Sequence, residues 1–174
     1  FDLLQARHDV LNHLARDVGL ERHAPVLQLA GVRSGDLRAA ARIGRKIARA
    51  VLLEACDVAE AQAAQDAGFD GVVLKGNEAG GHVCRRSAFM LTQECAGKLA
   101  IPYWIQGGIG PHMAAAVMLA GARGVVIGEQ LWQTAEAPCP PANIAWSGID
   151  GSETALVGSE DTPYRCFSRS GRVR

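Results

Sequence analysis

The chain predicts an α/β fold built on a parallel sheet, and three observations carry that reading. Short β-branched runs recur along its middle, stretches of helical length separate them, and the runs are apolar on both faces. Parallel strands joined by right-handed helical crossovers account for all three.

Taken in order, the first residues set Leu3, Leu4, Val10, Leu11, Leu14 and Val18 at amphipathic helical spacing. "PVLQLA", "ARAVLLEA", "DGVVLKG", "PYWIQGG" and "GVVIGE" then read as strands. Between them "DLRAAARIGRKI", "DVAEAQAAQDAG", "RRSAFMLTQECAGKL" and "PHMAAAVMLAGA" read as helices. Asp57 is an N-cap with Glu60 three residues on, and Pro111 suits a first helical turn. Gly68 and Gly121 stand where helices end in a left-handed residue.

The resulting βαβαβαβαβ order fits either an open doubly wound sheet or a closed β/α barrel. An eight-stranded barrel takes about 250 residues, so as a barrel this chain is its C-terminal portion with three strands missing. It starts at Phe1 already in amphipathic register and reads as a piece of a longer polypeptide. From about Ala137 the texture turns Pro-, Gly-, Ser- and Thr-rich with no clear period. We therefore divide the chain into a partial barrel over 1–136 and an irregular tail or linker over 137–174.

Bulk composition narrows the function classes. With 48% hydrophobic and 21% charged residues the chain suits one globular unit with a real core. Lys+Arg and Asp+Glu are both 18, so no net charge recommends a nucleic acid or an anionic membrane as partner. No apolar run approaches the roughly 18 residues of a membrane span. Cys56, Cys84, Cys95, Cys139 and Cys166 form no CxxC pair and follow no secretory leader, which favours free thiols in a reducing cytoplasm.

Every stretch suited to chemistry follows a strand, where a parallel α/β protein builds its ligand face. In "QGGIGPH" Gly107, Gly108 and Gly110 lie between a strand and a helix start. Bare N–H groups and a helix dipole there would cradle a phosphate, and a tight βα turn explains the same glycines equally well. "GEQLW" brings Gly128, Glu129 and Gln130 to the next such turn. "KGNEAGGHV" sets Lys75, Glu78 and His82 around Gly76, Gly80 and Gly81. The GxGxxG dinucleotide fingerprint and the Walker GxxxxGK[ST] are both absent.

"GFDGVVLKGNEAGGHV" followed by "IPYWIQGGIGPHMAAAVMLAGARGVVIGEQLW" resembles the C-terminal half of the nitronate monooxygenase family, FMN-dependent β/α barrels with enoyl-acyl-carrier-protein reductases among their relatives. The spelling "KGNEAGG" and the tail "DGSET…YRCFSR" are most similar to flavin-barrel modules of polyketide and polyunsaturated fatty acid synthases. The resemblance implies the C-terminal portion of a TIM-type (β/α)8 barrel. It implies FMN held by its phosphate at Gly107, Gly108, Ile109, Gly128, Glu129 and Gln130. It also implies an "AGGH" loop beside the flavin ring, with His82 as the catalytic residue. His82 and Cys84 could suggest a thiolate nucleophile or a metal pair, but no further ligand stands at suitable spacing, so no metal is expected. Substrates would be an alkyl nitronate or an enoyl thioester, with acyl carrier protein and other synthase domains as partners.

The residues fit that expectation. Gly80 and Gly81 would let backbone lie against a flat ring, and an imidazole moves protons near neutral pH. Lys75 is either a cation near the flavin N1 region or a solvated strand-end lysine. Glu78 is a general base or, as we favour, a loop fastener. His112 reads as a capping or surface residue, Trp104 and Trp132 as core, and Met90, Met113 and Met118 as packing between helix and sheet. Two departures support a second reading, a non-catalytic barrel retained as a scaffold or docking module. Cys84 stands two residues after His82 where many members have glycine and would crowd the loop, and "GEQL" stands where they read more like GTAF, setting Glu129 near a phosphate it would repel unless its side chain points away.

Overall fold

The structure, a computed structural model, describes residues 24–32, 35–128, 131, 154–159 and 163–167. The amphipathic stretch before Ala24, Trp132 and Cys139 lie outside them. The elements are β1 (Ala24–Leu29), α1 (Leu37–Ile47), β2 (Ala48–Ala55), α2 (Val58–Ala67), β3 (Gly71–Lys75), β4 (Gly81–His82), α3 (Ala88–Cys95), β5 (Tyr103–Gln106), α4 (Pro111–Leu119), β6 (Gly124–Val126), β7 (Thr154–Gly158) and β8 (Pro163–Phe167).

Local sequence sets the boundaries. Asp36 caps α1 by accepting the N–H of Ala39, and Asp57 caps α2 by accepting that of Glu60. Glu60 reaches back to the N–H of Cys56 at 2.7 Å, a capping box displaced by one residue. Gly68 ends α2 in the left-handed conformation. The third helix is shorter than its sequence stretch suggests: Ser87 accepts the N–H of Met90, so α3 begins only at Ala88.

β1, β2, β3, β5 and β6 form a five-stranded parallel sheet in simple sequential order. A doubly wound sheet needs a reversal of strand order and helices on both faces, and among the described residues neither is present. Leu29, Val51, Leu53, Val72, Leu74, Tyr103 and Ile105 form one buried cluster with Ala40, Ala41, Ala61, Ala64, Ala88, Leu91 and Val117 of the four helices. Fully burying a side chain such as Leu53 or Leu74 contributes about 1.5–3 kcal/mol. Helix α1 comes so close to β2 that a Cβ on Gly44 would lie 2.8 Å from Val51.

The opposite sheet face carries Val26 and Gln28, Leu52 and Glu54, Val73 and Lys75, Trp104 and Gln106, and Val126, as the pairing register dictates. The Gln28 amide reaches the Gln106 side chain at 3.5 Å although β2 and β3 lie between their strands. In a flat sheet those backbones would stand about 14 Å apart. The sheet therefore curls toward this face as a barrel wall does. Trp104 lies half-buried across Gly71 and Gly124, whose missing Cβ atoms would come within 2.7 and 3.1 Å of its ring. It packs on the inner barrel face and not in the helix–sheet core. Met113 packs against that core, but Met90 and Met118 are about half exposed, so their reading as interior packing is corrected.

Part of the segment expected to be irregular is strand. β7 and β8 form an antiparallel hairpin whose β8 edge pairs with β4, making a separate three-stranded sheet.

Candidate functional site

The C-terminal ends of β5 and β6 bring Gly107, Gly108, Ile109 and Gly128 together around a shallow, open depression, with Ala79, Gln106 and Val126 completing its wall. Gly107 and Gly108 turn the chain with φ of 114° and 60°, a conformation side chains resist. The depression reaches Ile109, next to the N-cap Gly110 of α4. Helices α1, α2 and α3 each have a side chain on their first N–H groups, whereas α4 begins at Gly110 with Pro111 next and no side-chain cap. Orphan N–H groups and the positive end of a helix dipole there suit an anion. Among the described residues lining the depression none is acidic. A Cβ on Gly80, Gly110 or Gly128 would meet nothing within 4 Å, so these glycines border open space. The cradle fits the phosphate end of a flavin nucleotide. Glu129 and Gln130 lie outside the described residues, and His112 is exposed in the first turn of α4.

Beneath the loops lies a polar layer at four strand ends. Gln28 donates to Glu54 at 2.6 Å, and Lys75 pairs with Glu54 at 3.3 Å. Lys75 is only 7% exposed, which corrects the solvated-lysine alternative. Its ammonium lies 4.0 Å from where a Cβ on Gly81 would stand, directly under the "AGGH" loop.

Glu78 is a fastener. Its carboxylate accepts the N–H of Ala88 at 2.9 Å, and its stem lies 3.5 Å from the Cβ position of Gly108. His82 does not line the depression. It sits on β4, half-buried, its ring edge-to-face with that of Tyr164 at 5.1 Å between centroids. Cys84 turns into the core, donates to the carbonyl of Arg86 at 2.9 Å and does not crowd the loop. A hydrogen bond shared with Cys56, burial and the charge of Glu78 hold its thiol far above the usual thiol range. Burial, with Glu94 beside it, pushes Cys95 up to about 11. Neither is a thiolate nucleophile at neutral pH. Among the described residues no group of three or more His, Cys, Asp or Glu could hold a metal ion.

Several of these residues escaped the sequence reading. Gln28, Glu54 and Gln106 each occupy the last inward position of a strand, which aligning the strands by register would have disclosed. Nothing in the sequence pairs Tyr164 with His82, because that contact spans 82 positions of chain.

No curated protein matches this chain. Among solved structures, FabK from Thermotoga maritima matches with a TM-score of 0.75 at 23% identity, over 94% of this chain and 51% of that one. A nitroalkane oxidase from Streptomyces ansochromogenes matches with a TM-score of 0.69 at 25% identity, over 92% and 48%. A fainter likeness joins 79% of the chain to 58% of the N-acetylmannosamine-6-phosphate 2-epimerase from Clostridium perfringens, at a TM-score of 0.51 and 18% identity. The chain thus spans about half the length of the first two proteins. Together with the sequential, one-sided sheet, these likenesses show a partial β/α barrel. The family model for nitronate monooxygenase matches residues 36–147, more than half of the chain, which therefore belongs to the nitronate monooxygenase family.

Proposed function

We propose that this chain is the C-terminal half of an FMN-dependent oxidoreductase of the nitronate monooxygenase type. The observation that carries the reading is the convergence of the Gly107–Gly108 turn, Gly128 and the uncapped start of α4 on one depression at the strand ends. Backbone N–H groups of Gly107, Gly108, Ile109 and Gly128 would bind the FMN phosphate, joined by Glu129 and Gln130. Gly80 and Gly81 would leave room for the ring, Lys75 would supply a positive charge to it, and His82 would handle the proton. Bound there, FMN supplies the electron or hydride transfer and the protein orients the reactants.

An alkyl nitronate is the substrate the family points to. Reduction of an enoyl thioester within a lipid or polyketide synthase, delivered on acyl carrier protein, is the companion possibility, and a proton held at the His82 imidazole serves either. The free thiols Cys56, Cys84, Cys95 and Cys166 support a reducing, cytoplasmic setting, and among the described residues no helix is long and apolar enough to cross a membrane. Division into a barrel over 1–136 and a tail over 137–174 belongs to the same reading.

The test is flavin uptake by the full-length protein, read by visible absorbance and quenching of FMN fluorescence, followed by assays of oxygen-dependent nitronate consumption and of NAD(P)H-dependent enoyl-thioester reduction. Saturable FMN binding and turnover in one assay are expected. A colourless protein that takes up no FMN would leave the scaffold reading, one of whose two grounds, a crowding Cys84, is absent from the structure.

A further inference from the structure

The histidine loop depends on a distant part of the chain. β4 is only the two residues Gly81–His82 and follows Gly80, and so short a strand by itself holds His82 weakly. Its geometry comes from β8: Gly81 pairs with Arg165, His82 pairs with Tyr164, and the N–H of Val83 donates to the carbonyl of Pro163 at 3.0 Å. β8 is itself anchored at both sides. The Arg165 guanidinium donates to the carbonyl of Asn77, at the start of the same loop, and to the hydroxyl of Thr154 on β7 at 2.7 Å. Val157 stands opposite Tyr164 in the β7–β8 ladder. Within this frame the two rings meet at 5.1 Å with their planes 72° apart.

We propose that Tyr164 is a positioning residue for His82, and that the hairpin β7–β8 completes the histidine loop as part of a separate sheet. This rests on the reading of His82 as the proton-handling group of the flavin site. The aromatic ring acts: packed edge-to-face, it restricts the imidazole to one orientation. Tyr164 acts through His82 and does not touch substrate.

The experiment compares Tyr164→Leu and Tyr164→Phe in the full-length protein, each checked for a wild-type melting transition. In Tyr164→Leu, kcat should fall about tenfold while KM and FMN affinity stay within about twofold, since an orientation needed in the transition state is lost and binding is kept. Tyr164→Phe should keep wild-type kcat. The His82 ring resonances, followed by NMR, should shift and broaden in Tyr164→Leu and stay in place in Tyr164→Phe. A Phe variant as impaired as the Leu variant would overturn the proposal, because the hydroxyl would then be needed for chemistry. So would a Leu variant with wild-type kcat. If the wild-type protein shows no flavin chemistry, the functional reading fails by itself and the spectra decide: resonances unmoved in Tyr164→Leu overturn the positioning, and resonances that move uphold it.

Discussion

The Glu78 carboxylate accepts the backbone N–H of Ala88 at 2.9 Å, tying the glycine loop to the first turn of α3. The same side chain lies under the Gly107–Gly108 turn, so one residue braces two of the loops that shape the depression. Replacing it with Ala removes a helix cap, worth about 1 kcal/mol, and frees both loops. We expect Glu78→Ala to lower stability by about that amount in urea titrations and to weaken FMN binding about tenfold, near 1.4 kcal/mol. FMN affinity that holds while stability drops would confine Glu78 to the helix cap.

Gly76 is where the loop can least tolerate bulk. A Cβ there would sit 2.3 Å from the Ala88 nitrogen and 2.4 Å from the Glu78 carboxylate. Neither neighbour can move without breaking the cap. Gly76→Ala should destabilise by about 1–3 kcal/mol, the usual cost of overpacking. It should also raise the FMN dissociation constant in parallel with Glu78→Ala. A thermal melt unchanged from wild type would show that the loop and α3 separate easily.

Lys75 and Glu54 form a buried pair, both side chains 9% exposed, with Gln28 as a second donor to the carboxylate. Removing one partner from such a pair strands the other charge and costs about 3–5 kcal/mol, whereas removing both costs less than the sum. Glu54→Ala should therefore destabilise strongly, and Glu54→Leu combined with Lys75→Met should recover much of the loss. If Lys75 also contributes charge to the flavin, the stable double variant should still bind FMN more weakly than wild type. Equal affinity would restrict Lys75 to structural work.

How much of this was legible in the sequence depends on the range of the interaction. Asp57, Gly68 and Pro111 were readable because caps act within one helical turn. The turns at Gly107 and Gly128 were readable because glycine is needed where they stand. Barrel curvature was not, since it shows only when Gln28 meets Gln106 across two intervening strands. The exposure of Met90 and Met118 was missed because a helix with apolar residues all round its circumference gives no sign of which side is covered. The partnership of His82 and Tyr164 was missed for a related reason: short strands that pair over a long separation leave no periodic trace.

Cys84 supplies a chemical prediction. Its thiol is buried, bonded to Arg86 and Cys56, and held in the protonated form, while Cys166 is exposed. A thiol reagent at mildly alkaline pH should label Cys166 readily in the native protein and leave Cys84 and Cys95 until unfolding, as mass spectrometry of digested protein would reveal. Rapid native labelling of Cys84 would place it at the loop surface and restore the crowding argument.

Asp70 ties α1 to the sheet, and its titration predicts a pH dependence. Burial works to raise its pKa, but the hydrogen bond from Arg45, the N–H of Val51 and the charge of Arg45 outweigh it, and the net direction is downward from the usual 3.8. The folded state thus favours the carboxylate. The stabilisation is fully present above the unfolded value and is lost as pH falls through the lower folded value. Both side chains are more than a third exposed, so solvent screening limits the pair to about 1 kcal/mol or less. Asp70→Asn should cost that much at pH near 6, and the gap to wild type should close toward pH 3, as the carboxyl takes up its proton. Urea titrations of both proteins across that range measure it, and a gap independent of pH would assign the loss to the hydrogen bond with Val51 in place of the charge.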